Sequence, residues 1–362
     1  MNPSIDIRKA GGGFGAWGRF WFSAADPIGL HVLRVLTGLL LLFWLLPFAG
    51  QHEALFSLAG WADSQLFESI SDIQPPDSPP VPIGWSILYM AGENTTAINV
   101  IYWLSIVVLG LFTLGIAVRL TALGAWIIAV SFLSSPVVAY DVDYLLLIPT
   151  FYVMLGYLFY GQYSRPATPL ERIFGPRDVY LTRLFAPERG PEYRSYAANF
   201  AVRLFQVHFA IVVVVSALHK LQMAEWWSGV AMFFPLHSPY KTTARDLIDL
   251  RSSASAYFFV LSVCGYLMLA WQLAFPAFAW RRGWRWLSIG GAVVGWLGCV
   301  FIFGLPLFGP FYLVGCLAYL RPEEWRSSLG WIVRLFKSRT TAAPAPRRAS
   351  EESPRSVKAT RV

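Results

Sequence analysis

Charged residues are scarce in this sequence. Asp, Glu, Lys and Arg together make up 14% of its 362 residues, whereas hydrophobic residues make up 56%. A soluble domain of ordinary composition carries about 25% charged residues. The scarcity of charge therefore excludes an ordinary soluble protein and predicts an integral multi-pass membrane protein.

Cysteine is equally scarce. Cys264, Cys299 and Cys316 each stand alone in an apolar run, and no two are spaced as CxxC. This excludes a dithiol redox site and a disulfide framework. His208 and His219 are about 16 Å apart along a continuous helix, too far to share one metal ion. We therefore predict no metal site.

The sequence also lacks the pattern of a cleavable signal peptide. Arg8, Lys9 and a glycine-rich stretch lie far ahead of the first apolar run. We expect that run to remain in the protein as a signal anchor. Residues 1–22 are predicted to form a flexible arm whose aromatic side chains suit a membrane surface.

Long apolar runs are plentiful and predict an all-α polytopic fold with about eight transmembrane helices. The run 286–320 would be about 52 Å long as one helix, so we divide it at Gly304-Leu305-Pro306 into two short spans. The predicted spans are 28–49, a helix within 94–118, 120–139, 144–161, 196–220, a helix within 252–280, and the two in 286–320.

The distribution of basic residues predicts the orientation. The loop 50–96 contains no Lys or Arg, whereas the tail 336–362 contains seven. With eight crossings and both termini cytoplasmic, every short basic loop lies inside, as the positive-inside rule requires. We therefore expect a transmembrane domain over 23–326, a basic disordered tail over 327–362, and a location in the plasma (inner) membrane. The net charge of +8 resides mainly in the tail, which indicates contact with membrane lipids and argues against nucleic acid.

The segment around Lys220 is the most chemically distinctive part of the chain. A charged residue at the end of an apolar run is costly at membrane depth and is a functional hypothesis by default. Burial disfavours the charged form of a lysine, which would let Lys220 act as a general base. The alternative is an interfacial lysine that reaches the lipid headgroups. The candidate polar groups around this base are Asp141, Asp143, His219 and Glu225.

Two further polar residues lie within predicted spans. His208 is expected to make a polar contact between helices. Arg34 is expected either to pair with an Asp or Glu of another span or to reach headgroups.

The residues around Lys220 also resemble a known family. The stretch R-L-F-Q-V-H…S-A-L-H-K-L…E-W-W-S-G-V-A over 203–231 resembles the horizontally transferred transmembrane (HTTM) family. The segments ADPIGLHVLRVLTGLLLL, LGLFTLGIAVRLTAL, DVDYLLL and LRPEEW resemble it in the same order. That family includes the membrane part of vitamin K-dependent gamma-glutamyl carboxylase.

The resemblance implies a carboxylase-like lyase in which Lys220 deprotonates reduced vitamin K or another quinone. The implied residues for substrate or lipid binding are Arg34, Arg203, Gln206, His208, Trp226 and Trp227. The chain departs from the family where Gln272 replaces a glutamate and Trp296 replaces a histidine. A non-catalytic scaffold, binding protein or export accessory with the same fold is therefore the alternative hypothesis. Neither the residues nor the resemblance indicates a protein partner.

Overall fold

The computed structural model describes residues 13–61, 85–135, 143–161, 168–176, 193–237, 254–303 and 308–340, together with positions 179–181, 184, 243, 245 and 248. Within these residues the fold is all-α, as predicted, and the β-structure is limited to one isolated bridge between Ala25 and Ser195. The α-helices, numbered in order, are α1 Gly13–Phe22, α2 Ile28–Leu45, α3 His52–Phe56, α4 Thr95–Leu114, α5 Val118–Leu133, α6 Leu147–Phe159, α7 Pro169–Phe174, α8 Tyr196–Lys220, α9 Ala224–Trp227, α10 Phe233–Leu236, α11 Ala254–Ala279, α12 Arg285–Phe303, α13 Phe308–Leu317 and α14 Pro322–Thr340. Short 3-10 helices cover Leu46–Gly50, Ile87–Met90 and Asp143–Leu146.

Four of the described helices are long and apolar enough to cross a membrane. They are Ile28–Gly50, Thr95–Leu114, Tyr196–Lys220 and Ser255–Ala279. Shorter apolar helices cover Val118–Leu133, Asp143–Phe159 and Arg285–Phe301. The chain is therefore a membrane protein, because an apolar helix satisfies its own backbone hydrogen bonds in lipid.

Helices α4 and α5 form a tight hairpin. Asn94 caps the start of α4 by accepting a hydrogen bond from the Ala97 amide at 3.1 Å. Gly115 ends α4 in the left-handed conformation, with φ of 83°, which glycine adopts without steric cost. The chain thus reverses within three residues before α5 begins at Val118.

Helix α8 lies at the centre of the bundle, in contact with α1, α2, α6 and α11. Its Phe205 and Phe209 side chains are fully buried. The Phe209 ring lies edge-on to Phe275 of α11 and Phe311 of α13, with centroids 5.6 and 5.7 Å apart. Packing along its length therefore fixes the position of α8, and with it the positions of the polar residues near its two ends.

Arg34 is completely buried in α2, and it forms no ion pair with a described carboxylate. Its guanidinium donates to the carbonyl oxygens of Val179 at 2.8 Å and Thr113 at 3.4 Å, and to the hydroxyl of Tyr157 at 3.4 Å. Thr113 lies in the last turn of α4, where backbone carbonyls lack helical partners. Within the described part of the chain, backbone carbonyls and a tyrosine hydroxyl therefore stand where an acidic partner was expected, and the complete burial of Arg34 makes the alternative expectation of headgroup contact wrong.

Arg119 acts in the same way at the start of α5. It donates to the carbonyl of Tyr160, just beyond α6, at 2.7 Å, and to the carbonyls of Glu171 and Arg172 in α7. This arginine therefore connects the start of α5 to the end of α6 and to α7.

Two predicted flexible segments are partly helical. Residues 13–22 form α1, which is held on α8 because the Asn199 side chain donates to the carbonyls of Phe20 and Trp21 at 3.2 and 3.1 Å. The predicted disordered tail begins at 327, but α14 continues to Thr340. These parts of the two predictions were wrong. Residues 1–12 and 341–362 lie outside the described residues.

Candidate functional site

Three of the predicted site residues lie towards the two opposite ends of α8. Arg203 and Gln206 belong to its second turn and third turn, whereas Lys220 is its last residue. At 1.5 Å per residue, Arg203 and Lys220 are about 25 Å apart along the helix axis. The candidate residues on α8 therefore belong to two separate sites.

Lys220 is half-buried, and its side chain is turned back along α8. Its Nζ atom donates to the Ser216 hydroxyl at 2.7 Å and to the Ser216 carbonyl at 3.4 Å. The Trp226 ring lies 5.7 Å from Nζ, within the range of a cation–π contact. Because Ser216 is one turn earlier in the helix, the ammonium lies alongside the bundle and does not extend past the helix end.

Ser216 connects Lys220 to a second helix. Its side chain is hydrogen-bonded to Tyr312 of α13. The Tyr312 ring centroid lies 6.0 Å from that of Phe209, so the hydroxyl is held at the edge of the aromatic core. An amine, an aliphatic hydroxyl and a phenol thus form one chain of polar groups between α8 and α13.

The structure describes three of the four polar groups that were predicted to lie around this lysine, namely Asp143, His219 and Glu225. Within the described part of the chain, no carboxylate forms an ion pair with Lys220, and the Glu225 and His219 side chains are exposed. Asp143 opens the 3-10 helix Asp143–Leu146, which packs against α13. Asp141 lies outside the described residues. The grouping of Glu225 and His219 around the lysine stays a prediction.

The two tryptophans have different positions. Trp226 is half-buried beside Lys220, whereas the Trp227 ring is 66% exposed. The Trp227 indole donates to the carbonyl of Leu221 at 2.6 Å, and its own carbonyl accepts from the Tyr266 hydroxyl at 2.7 Å. Trp226 belongs to the Lys220 site, and Trp227 has the exposed ring and tied polar group typical of a membrane interface.

His208 lies between the two ends of α8. Its Nδ1 atom is 3.0 Å from the Tyr152 hydroxyl of α6. This confirms the expected polar contact between helices. Neither His208 nor Arg34 reaches the Lys220 site.

A cavity of about 330 Å³ lies at the other end of α8. Arg203 donates to the Gln206 side-chain oxygen at 2.9 Å, and the Trp280 indole donates to the same oxygen at 3.3 Å. The Gln206 amide in turn donates to the carbonyl of Ala318 at 2.7 Å. The residues lining the cavity are Phe20, Ala25, Asp26, Gly29, Leu30, Ala198, Asn199, Val202, Arg203, Gln206, Trp280, Arg285, Tyr319, Leu320, Arg321 and Pro322.

Sequence reasoning missed part of this cavity. Local sequence patterns single out none of Arg285, Arg321 and Trp280, which line it. They come from helix ends far apart in the chain, so no local spacing marks them as one group. The sequence pattern that could have indicated this cavity is the presence of arginines just after the sixth and eighth predicted spans.

No group of three or more His, Cys, Asp or Glu that could hold a metal ion occurs among the described residues. Comparisons of the chain with protein-family models, with curated proteins and with solved structures find no match. The fold and the sites define the class: an all-α membrane protein with one lysine-centred and one arginine-rich polar site.

Proposed function

We propose that this chain is an HTTM-type membrane protein that binds a quinone-like lipid beside Lys220 and uses that lysine as a base in carboxylase-like chemistry. One observation carries the proposal. The Lys220 amine is turned back onto Ser216, which is bonded to Tyr312, and no described carboxylate neutralises it. The implied family role of this lysine is that of a base.

The groups around Lys220 fit a reduced quinone. A reduced quinone, when bound, supplies a phenolic hydroxyl on an apolar ring. Ser216 and Tyr312 can hydrogen-bond to oxygen atoms, and Trp226 offers an aromatic face. General-base catalysis requires a neutral amine, which would accept the hydroxyl proton at Nζ. A carboxylate partner would hold the ammonium charged, so its absence among the described residues suits this role.

The full topology is part of the proposal. Eight crossings with both termini cytoplasmic, in the plasma (inner) membrane, are supported by the apolar helices and by the basic residues at alternate ends. Gln51→Cys and Trp331→Cys would test it in a chain whose native cysteines are replaced by serine. An impermeant maleimide applied to intact cells should label position 51 and leave position 331 unlabelled. Labelling of both positions, or of 331 alone, would refute the orientation.

A non-catalytic binding protein is the second candidate. Gln272 of α11 stands where the resembling family carries a glutamate, and its side-chain oxygen is buried with no hydrogen-bond partner among the described residues. Because an amide cannot take up a proton as a carboxylate does, a reaction that needs a second acid or base has less support here.

Mass spectrometry of the lipids that co-purify with the protein tests ligand binding. We expect the wild type to retain a quinone and Lys220→Met to lose most of it. Lys337→Met in α14 serves as the control that removes the same charge elsewhere. Equal retention by Lys220→Met and the wild type would exclude the Lys220 site.

Carboxylation distinguishes the two candidates. Protein supplied with reduced vitamin K, oxygen, labelled bicarbonate and a glutamate-containing peptide should incorporate label only with Lys220 present. Retention of quinone without any incorporation would favour the binding protein over the enzyme.

A further inference from the structure

The cavity at the start of α8 has a different chemistry from the Lys220 site. We propose that it binds a phosphate monoester group, either on a membrane-lipid headgroup or free in solution. This inference does not rest on the proposed chemistry at Lys220, because the two sites lie about 25 Å apart along α8.

The charges around the cavity do not cancel. Arg285 pairs with Glu324 at 2.6 Å, and Asp26 pairs with Arg326 at 2.5 Å. Neither Arg203 nor Arg321 forms an ion pair with a described carboxylate. Two lining arginines therefore keep their full charge, which matches a phosphate monoester carrying roughly −1.5 to −2 near neutral pH.

The groups that hold Arg203 in place within the described part of the chain are neutral. Its guanidinium donates to Gln206 and lies 4.6 Å from the centroid of the Phe20 ring. Arg285 and Arg321 are close enough to repel it. An anion bound among these three arginines would offset that repulsion by attracting all three. The N–H donors of a guanidinium also suit phosphate oxygens.

Arg285 provides a separate indication of a ligand. Its side chain is 2% exposed, and it donates to the Tyr319 carbonyl at 3.1 Å and to Glu324. Its Nε atom is buried without a hydrogen-bond partner among the described residues. An unsatisfied buried donor on an ion costs free energy, and an anionic oxygen in the cavity is the group that would relieve it.

The cavity suits an amphiphile as well as a bare ion. Apolar side chains of Phe20, Leu30, Val202 and Trp280 line it beside the arginines. It lies where α2, α8 and α12 begin and α13 ends, so it is at one face of the bundle. A lipid phosphate would meet arginine and glutamine there, while its glycerol and first methylene groups meet aromatic and aliphatic surface.

Titration of the purified full chain in a neutral detergent with dioctanoyl phosphatidic acid tests the proposal. We expect saturable binding, and about tenfold weaker binding for Arg203→Gln and for Arg321→Gln, since each loses a charge-assisted hydrogen bond. Arg282→Gln is the matched control, because this exposed arginine follows α11 but does not line the cavity. Because Arg282 acts on Arg285 only through space, its variant should lose far less affinity than the other two.

Inorganic phosphate as competitor separates the two sources. Displacement of the lipid at comparable concentrations indicates a free phosphate site, whereas no displacement up to high millimolar phosphate indicates a headgroup site. Wild-type affinity in both Arg203→Gln and Arg321→Gln would overturn the proposal, as would an equal loss in Arg282→Gln. Arg321 is exposed, so its variant tests the site even if Arg203→Gln fails to fold. A failure at Lys220 would leave these results unchanged.

Discussion

The Lys220 ammonium lies 2.7 Å from the hydroxyl of Ser216, one turn earlier on the same helix. The serine therefore fixes the amine beside α13 and away from the end of α8. This contact therefore determines where in the bundle the amine of Lys220 lies. It also provides the first test.

Ser216→Ala should release the Lys220 side chain without removing its charge. A hydrogen bond to a charged group contributes about 1.5–3 kcal/mol, so quinone retention should fall roughly tenfold or more. Ser105→Ala is the control, because this serine donates to its own helix at Ile101 and lies in α4. Retention unchanged in Ser216→Ala would show that the contact has no part in binding.

Arg34→Met should destabilise the bundle. The substitution keeps a similar length but leaves the carbonyls of Val179 and Thr113 without their buried donor, at a cost of about 1–3 kcal/mol for each carbonyl. Thermal unfolding in detergent would detect this as a lower melting temperature. Arg19→Met, at an exposed position of α1, should unfold like the wild type. Equal melting temperatures for Arg34→Met and the wild type would contradict the assigned role.

Gly315→Ala and Gly295→Ala should differ in the size and direction of their effects. A methyl group at Gly315 would overlap the fully buried Phe209 ring, and overpacking of this kind costs about 1–3 kcal/mol. Nothing lies within 4 Å of the corresponding position at Gly295. There, alanine should leave stability unchanged or raise it by up to about 1 kcal/mol through helix propensity. Melting curves that rank the two variants the other way would refute the packing at α13.

Asp26→Asn should lower stability but strengthen phosphate binding. The carboxylate accepts from the Ile28 amide at 3.0 Å and pairs with Arg326, so its loss should cost about 1–2 kcal/mol. It would also remove the acidic side chain of Asp26 from the cavity lining, and with it the ion pair to Arg326. We expect dioctanoyl phosphatidic acid to bind a few-fold more tightly, as measured by the same titration.

Adding Arg326→Gln to Asp26→Asn should return the phosphate affinity towards that of the wild type. This double variant separates a charge effect from a general loosening of the helix ends. An affinity that falls in Asp26→Asn alone would show that the carboxylate supports the site and does not oppose the ligand.

Much of the fold followed from the sequence because a bilayer restricts the possible structures. Lipid offers no hydrogen bonds to an exposed backbone, so long uncharged runs must be helices. Hence α2, α4, α8 and α11 lie where apolar runs predict them, and Gly115 ends α4 in a hairpin. The same reasoning could not anticipate α1 or α14, whose composition is mixed. Asn199 of α8 holds α1, and Asp26, in the segment between α1 and α2, pairs with Arg326 near the start of α14.

The sequence by itself determined that this chain is an all-α membrane protein with a lysine at the end of its central helix, because hydropathy and charge are local properties. Only the tertiary structure decided what each polar residue contacts. Arg34 meets carbonyls 79 and 145 positions away, and Arg203 shares a cavity with Arg285 and Arg321. Such neighbours are set by how helices pack, and packing depends on the shapes of side chains distributed over the whole chain.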